Sequence, residues 1–331
     1  MDKVKFAIPA GSLAKATSDF FARSGYKISG TERTYRPTIN DPGIEMKVLR
    51  PQEIPVFVAE GLQDLGITGQ DWVRENRADV EILQNLEYGK IRLVVAVPKT
   101  ASDDIGEFME DIWSRGKNFR VSTEYLNIAS EYLKAIPAYK KRFKDADPMI
   151  VTPWWRKGDN TRAKLFLSFG ATEAKPPENS DCIIDVTETG STIEANNLKI
   201  IDTVMTSSAV LIANKKALED PVKQEKIFDI LSLLKGVVDG SKRIHIFVNV
   251  KKSNLQKLLT ELPALKNPTI SPLADDTWVS VNTVIEKDCL IGILPKIRKI
   301  AQGLVVYEPR QVLALDEITR RKEGKCAVDL K

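Results

Sequence analysis

The sequence predicts an α/β protein built on a largely parallel sheet, followed by a smaller ferredoxin-like module. Three observations lead there. Short apolar runs closed by Gly or Pro alternate with helix-period stretches across the first two-thirds of the chain, the pattern of layered α/β folds. After Gly240 the remaining runs read as one β-α-β-β-α-β unit. The chain has 331 residues, 43% of them hydrophobic and 28% charged, which suits a core-forming protein of two or three domains.

Val4–Pro9 reads as the first strand. A helical pattern through Leu13, Thr17, Phe20 and Phe21 follows and stops at Gly25. Met46–Leu49 is a short strand, Glu53–Glu60 a helix opened near Pro51 or Pro55, and Leu65–Thr68 a strand closed by Gly69. Ile91–Val97 is a long apolar strand ending at Pro98. A second block offers strands at Phe119–Ser122 and Pro148–Val151 and a helix at Asn127–Lys134. Asp159–Arg162 is read as a turn or helix start. Strands at Cys182–Ile184, Lys199–Thr203 and Ala209–Ala213 precede an amphipathic helix, Pro221–Val238, with Ile227, Ile230, Leu231, Leu233 and Leu234 at helical spacing. The third block reads as strand Ile244–Val250, helix Leu255–Leu262, strand Trp278–Val284, helix Cys289–Lys299 and strand Gly303–Tyr307. It resembles regulatory modules of the ACT type. A charged tail begins near Asp316.

Composition excludes several classes. A net charge of +4 makes no case for nucleic acid as a partner. Three cysteines, Cys182, Cys289 and Cys326, are too few and too widely spaced for a disulfide framework or a zinc pattern. No window approaches the ~20 apolar residues of a membrane span, and the N-terminus lacks the apolar core of a signal peptide. A cytoplasmic protein is therefore expected. The single histidine, His245, makes Ser-His-Asp triads and two-histidine metal sites uneconomical readings. Chemistry needing little imidazole proton transfer is expected, and any metal should be a hard cation held by oxygens.

The most informative stretch is DVTETGSTIEANNLKIID, residues 185–202. Two carboxylates, Asp185 and Glu188, follow an apolar strand. Thr189, Gly190, Ser191 and Thr192 then offer hydroxyls and backbone N–H groups before a helical stretch. Acids that accept from ribose hydroxyls, followed by a turn rich in donors, suit a ribose 5-phosphate. An acidic surface turn with a helix cap is the plainer reading of the same residues.

These residues, with RPQEIP (50–55), DLGITGQD (64–71), LEYGKIRL (86–93), GATEAKP (170–176), SSAVLIAN (207–214) and PTISPLADD (268–276), resemble the long form of the ATP phosphoribosyltransferase family. The resemblance runs from the first strand to about residue 315. It implies two lobes like those of type II periplasmic binding proteins, a cleft active site and a third domain that binds histidine as inhibitor. The implied division is 1–96 with 208–237, then 97–207, then 238–315, with 316–331 as a tail. The implied reaction is attack of ATP's adenine N1 on phosphoribosyl pyrophosphate, assisted by Mg2+. Asp185 and Glu188 match the ribose-binding acids and are candidates for the metal, and Thr189–Thr192 match the 5-phosphate loop. Gly11, Ser12, Arg33, Arg50, Gly69 and Glu173 are candidates for ATP, Arg50 and Arg92 for catalysis, and Leu273, Ala274 and Asp275 for histidine. A homo-oligomer, dimer or hexamer, is implied as well.

One departure stands out. The family often carries PKGRL in its first turn, where this chain has PAGSL. Lys15 or Arg23 is a candidate replacement cation, and Arg36 a further phosphate candidate. Asp71 is read as a helix cap in preference to a substrate contact. Trp154 and Trp155, flanked by Arg156 and Lys157, read as an adenine stack or the cover of a mobile loop, and equally as core plus surface. Two other functions compete: a two-lobed small-molecule-binding or ligand-sensing protein without catalysis, and a noncatalytic or differently specific transferase.

Overall fold

The computed structural model describes residues 3–30, 34–262 and 268–313. Arg33, Cys326 and the tail from 316 lie outside the described residues. In chain order, β1 (Val4–Pro9) leads through a 3-10 turn, Gly11–Leu13, into α1 (Ala14–Ser24). Next come β2 (Ile28–Ser29), β3 (Thr38–Ile39), β4 (Ile44–Leu49), α2 (Ile54–Ala59), β5 (Leu65–Gly69), α3 (Gln70–Glu75), β6 (Glu81–Asn85) and β7 (Ile91–Pro98). The middle of the chain forms α4 (Ile105–Ser114), β8 (Phe119–Thr123), α5 (Leu126–Ala135), α6 (Pro137–Phe143), β9 (Pro148–Val151), β10 (Arg156–Lys157) and β11 (Asn160–Leu167). It continues with β12 (Cys182–Thr187), α7 (Ser191–Ala195), β13 (Leu198–Ser207), β14 (Ala209–Ala213), α8 (Lys215–Glu219) and α9 (Pro221–Lys242). The last part is β15 (Arg243–Lys251), α10 (Leu255–Glu261), β16 (Thr269–Pro272), β17 (Trp278–Glu286), α11 (Cys289–Ile297) and β18 (Ala301–Tyr307).

The chain divides into two compact units. One holds Met1–Val4, Lys15–Met46 and Leu218–Lys331; the other holds Lys5–Ala14 and Lys47–Ala217. The second unit carries most of a five-stranded sheet, ordered β4-β1-β5-β14-β6, and all of a seven-stranded sheet, ordered β10-β9-β11-β8-β12-β7-β13. In the larger sheet β9, β11, β8 and β12 run parallel, β7 and β10 run against them, and β13, antiparallel to β7, points the same way as the four. Its central strands are apolar on both faces. Leu93, Val95 and Val97 of β7 pack with Phe119, Val121, Trp113 and Tyr139, and Val94 and Ala96 pack on the other side with Ile183, Ile193 and Leu198. Each fully buried Val, Leu, Ile or Phe among them contributes about 1.5–3 kcal/mol. Asp104 caps α4, its carboxylate accepting from Glu107 N at 2.8 Å.

Two sequence expectations change here. Ile91–Pro98, placed at the close of the first lobe, belongs throughout to the seven-stranded sheet. Asp159–Arg162 starts no helix, because Asn160–Arg162 open strand β11 between β8 and β9.

The chain passes between the two sheets twice, at residues 86–90 and at Ser208. The passes are bonded side by side: Leu86 N donates to Ala209 O and Ala209 N to Tyr88 O, both at 2.9 Å. A second link joins α3 to α5. The Glu75 carboxylate accepts from Asn127 N and Ile128 N, each at 2.9 Å, and so caps α5. Trp72 stacks on Tyr125 with ring centroids 4.4 Å apart.

In the first unit, Asp220 caps α9 by accepting from Val222 N and Lys223 N. Pro221 sits where a missing N–H costs nothing. Gly240 lets the backbone of Gln311 pass close along α9, since a Cβ there would lie 3.0 Å from Gln311 Cα. The C-terminal sheet is ordered β16-β17-β15-β18, the ferredoxin-like arrangement, with Ile246, Val248, Val281, Leu258 and Ile297 in its core. His245 lies on the opposite face of β15 from that core, 4.5 Å from the Phe247 ring. Among the described residues no helix is long and apolar enough to cross a membrane.

Candidate active site

The four parallel strands of the larger sheet end along one edge, where parallel α/β sheets place ligands. Register fixes which residues meet there. Ile184 and Leu167 both pair with Thr123, so Asp185, Ser168 and Glu124 are the next residues outward on three adjacent strands.

Asp185 is half-buried. One carboxylate oxygen accepts from the Thr172 hydroxyl and the other from Val186 N at 2.7 Å. Burial pushes its carboxyl upward, the Thr172 and Val186 donors pull it back, and the neighbouring Glu173 charge adds to the rise. Glu124 behaves alike. Burial raises it first, then the Asp185 charge, against hydrogen bonds from Gln52 and Gly170 N–H and the charge of Arg50. Asp185, Glu173, Glu124 and Arg50 therefore share one electrostatic neighbourhood. The buried Gln52 Oε1 has no hydrogen-bond partner, a cost that a bound donor would offset.

Beyond Asp185 the chain turns. Gly190, at φ +88°, occupies the left-handed region that glycine adopts most easily. Its N–H donates to Thr187 Oγ1 at 2.8 Å, and the Thr189 and Ser191 hydroxyls lie 3.0 Å apart. Glu188, Thr189, Ser191 and Thr192 are exposed. The helix α7 that follows has only 5 residues, so the loop's own hydroxyls and amides, more than a helix dipole, make the donor set. Arg92 pairs in register with Thr187 on one side and Thr206 on the other, which sets its strand position beside this loop.

The other candidates divide. Arg50 is exposed at the turn before α2, and that turn is held by Thr68 Oγ1 and Asn76 Nδ2 donating to Pro51 O and Gln52 O. Gly11, at φ +72°, and Ser12 are exposed on the first turn. Gly69 is buried, and the space a Cβ would need is filled by Asp71, whose Oδ1 would lie 2.1 Å away; it presents no open surface to a nucleotide. Asp71 is no helix cap. The cap of α3 is Gly69, and the Asp71 carboxylate accepts from Tyr125 Oη at 2.8 Å and Ser207 Oγ at 2.6 Å. Arg36 is engaged with Glu45 at 3.2 Å. Lys15 and Arg23 are exposed on α1. In the C-terminal sheet, Leu273, Ala274 and Asp275 form the β16–β17 loop, where Asp275 Oδ1 accepts from Thr277 N and Oγ1 at 2.8 and 2.7 Å. Those two bonds hold its carboxyl below the usual range.

Sequence reasoning missed Glu124, Gln52 and Thr172. STEYLN reads as the approach to a helix, and only the pairing of β8 with β12 sets Glu124 beside Asp185. The signal available was modest: a carboxylate directly after an apolar strand, as at Asp185.

A family profile described as ATP phosphoribosyltransferase matches residues 50–236, and one described as HisG, C-terminal domain, matches 241–310. The ATP phosphoribosyltransferase of Solibacter usitatus is 38% identical over 94% of this chain and 99% of its own length. That of Chlorobaculum parvum is 35% identical over 94% of this chain and 97% of its own. Among solved structures, a chain of the ATP phosphoribosyl transferase (HisG:HisZ) complex from Thermotoga maritima superimposes with a TM-score of 0.54 at 22% identity. That match covers 71% of this chain and 98% of the other, a likeness of fold.

Proposed function

The chain belongs to the ATP phosphoribosyltransferase family, and from that membership we propose how its residues divide the work. The enzyme transfers the phosphoribosyl group of phosphoribosyl pyrophosphate to N1 of ATP and releases pyrophosphate, the first step of histidine biosynthesis. N1 forms a bond to the anomeric carbon as the bond from that carbon to pyrophosphate breaks, and the leaving group takes the electron pair. The ring passes through oxocarbenium character, so in-line positioning and charge stabilisation carry the rate.

Asp185 and Glu188 accept from the ribose 2′ and 3′ hydroxyls. The Thr172 hydroxyl opposes the upward push that burial gives the Asp185 carboxyl. Thr189, Gly190, Ser191 and Thr192 donate to the 5-phosphate. Arg92 and Arg50 supply positive charge for the departing pyrophosphate, and Glu173 borders the nucleotide together with Gly11 and Ser12. What supports this reading most is the continuous run from Asp185 through Gly190 to Ser191 at the C-terminal edge of the parallel strands, with Arg92 in register beside it.

The donor chemistry fits a hard cation. No cluster of three or more metal-ligating side chains occurs among the described residues. Magnesium is commonly held by one or two carboxylates plus substrate oxygens, and Asp185 and Glu188 would provide the protein's share. Bound there, Mg2+ would neutralise diphosphate charge as it develops.

Histidine is the proposed inhibitor, held by the loop Leu273–Asp275. Exposed Val305, Val306 and Tyr307 on β18 support a homo-oligomer. Both substrates are phosphorylated metabolites of the cell interior, which supports a cytoplasmic location.

The test mixes the protein with ATP, phosphoribosyl pyrophosphate, Mg2+ and pyrophosphatase and follows near-ultraviolet absorbance. Asp185→Asn with Glu188→Gln should lower turnover by at least about a hundredfold while the circular dichroism and melting curve stay unchanged. Turnover near wild type would refute the ribose assignment.

A further inference from the structure

We propose that Trp154 and Phe169 form an aromatic platform on which the adenine ring of ATP stacks. Three large aromatic side chains stand bare in one stretch of surface: Trp154 is 72% exposed, Trp155 48% and Phe169 69%. Trp154 and Phe169 meet edge to face, ring centroids 5.9 Å apart at 69°. Clustered exposed aromatic surface of this kind marks an interaction site more often than chance exposure does.

Topology says which site. Val151 pairs with Phe166 on β11, and Leu167 pairs with Thr123 on β8. The hairpin Thr152–Trp155 therefore leaves the sheet at the same edge as Ser168, Glu124 and Asp185. It stands three strand intervals from β12, about 14 Å. Phe169 directly precedes Gly170, which neighbours Glu124. The platform thus lies on the same strand-end edge as Asp185, with Glu124 between them.

The hairpin is firmly made. Thr152 N donates to Trp155 O at 3.0 Å, and Trp154 N and Trp155 N both donate to Thr152 Oγ1. Arg156 and Lys157 follow at once and are exposed, so the aromatic surface is flanked by positive charge. Exposed rings beside cations suit an anionic aromatic ligand, a nucleotide.

The reaction explains why stacking is the grip needed. Adenine N1 must keep its lone pair for the anomeric carbon, so a hydrogen bond to N1 would oppose the chemistry. A ring face binds the base and leaves that edge free. The identity of the base rests on the phosphoribosyl-transfer reading; the platform itself is tested by binding alone.

The full-length chain and the variants Trp154→Leu, Trp154→Tyr and Phe169→Leu are titrated by calorimetry with AMP and, separately, with inorganic tripolyphosphate. Trp154→Leu should weaken AMP about tenfold and leave tripolyphosphate unchanged. Trp154→Tyr should stay within about twofold of wild type, because a ring face remains. Phe169→Leu should weaken AMP in the same direction. In turnover, Trp154→Leu should raise KM for ATP about tenfold, with kcat and KM for phosphoribosyl pyrophosphate unmoved. An AMP affinity unchanged in Trp154→Leu, an equal loss for AMP and tripolyphosphate, or a wild-type chain that does not bind AMP overturns the platform. A chain that binds AMP as expected yet makes no product refutes the transfer reading and leaves the platform standing.

Discussion

Replacing Tyr125 by Phe deletes one oxygen and keeps the ring. That oxygen donates to Asp71 Oδ2 at 2.8 Å, while Asp71 Oδ1 accepts from Ser207. Tyr125 is 2% exposed and Asp71 3%, so water cannot take the vacated place. A hydrogen bond to a buried charged group contributes about 1.5–3 kcal/mol. The stack on Trp72 at 4.4 Å survives, so packing loss adds little. The unfolding free energy should fall by about 2 kcal/mol, a sizeable part of the roughly 5–15 kcal/mol typical of a domain. Burial, and after it the Asp71 charge, hold the Tyr125 hydroxyl protonated far above the usual phenol range. A pKa raised on folding gives stability that is fully present below the unfolded value of about 10, so the loss should be flat from about pH 6 to 9. Urea melts read by tryptophan fluorescence test this, since Trp72 reports from the site itself, and a double-mutant cycle with Ser207→Ala isolates the shared carboxylate. A change under about 0.5 kcal/mol, or one that varies over that pH range, would refute the reasoning.

Other outcomes follow from neighbouring features. Thr172→Val removes the largest interaction opposing the rise of Asp185, so the acid limb of the kcat/KM profile should move to higher pH; an unmoved limb assigns that limb to another group. Gly66→Ala would set a Cβ 2.4 Å from Ile54 Cγ2 and 3.0 Å from Val58 Cγ2, forcing α2 off β5 at a cost of about 1–3 kcal/mol, which a lowered thermal midpoint would register. Asp275→Ala should abolish histidine inhibition and leave the uninhibited rate unchanged. Thr277→Val, which removes the hydroxyl bond to Asp275 but keeps the backbone N–H bond and the carboxylate, should remain inhibited in the same assay.

The acid-and-glycine turn was legible in the sequence because its chemistry is contiguous: Asp185, Glu188 and the hydroxyls follow one another within eight residues. The strand-helix alternation was legible for the same reason, since each element carries its own period. What depended on distant pairing was not. β7 reads as a continuation of the first lobe until its partners, β12 and β13, are known. Glu124 and Gln52 are ordinary polar residues until parallel register and the RPQE turn bring them to the Asp185 neighbourhood. Asp71 follows a glycine and reads as a helix cap, because its true partners, Tyr125 and Ser207, lie 54 and 136 residues away. Local chemistry can be read from a sequence; adjacency created by a sheet cannot.

The paired passages at 86–90 and Ser208 limit how the two sheets of the catalytic unit can move. Either passage alone could swivel about single bonds. Joined through Leu86, Tyr88 and Ala209, they behave as a two-ply strap, compliant to flexing across its width and stiff to sliding or torsion along its length.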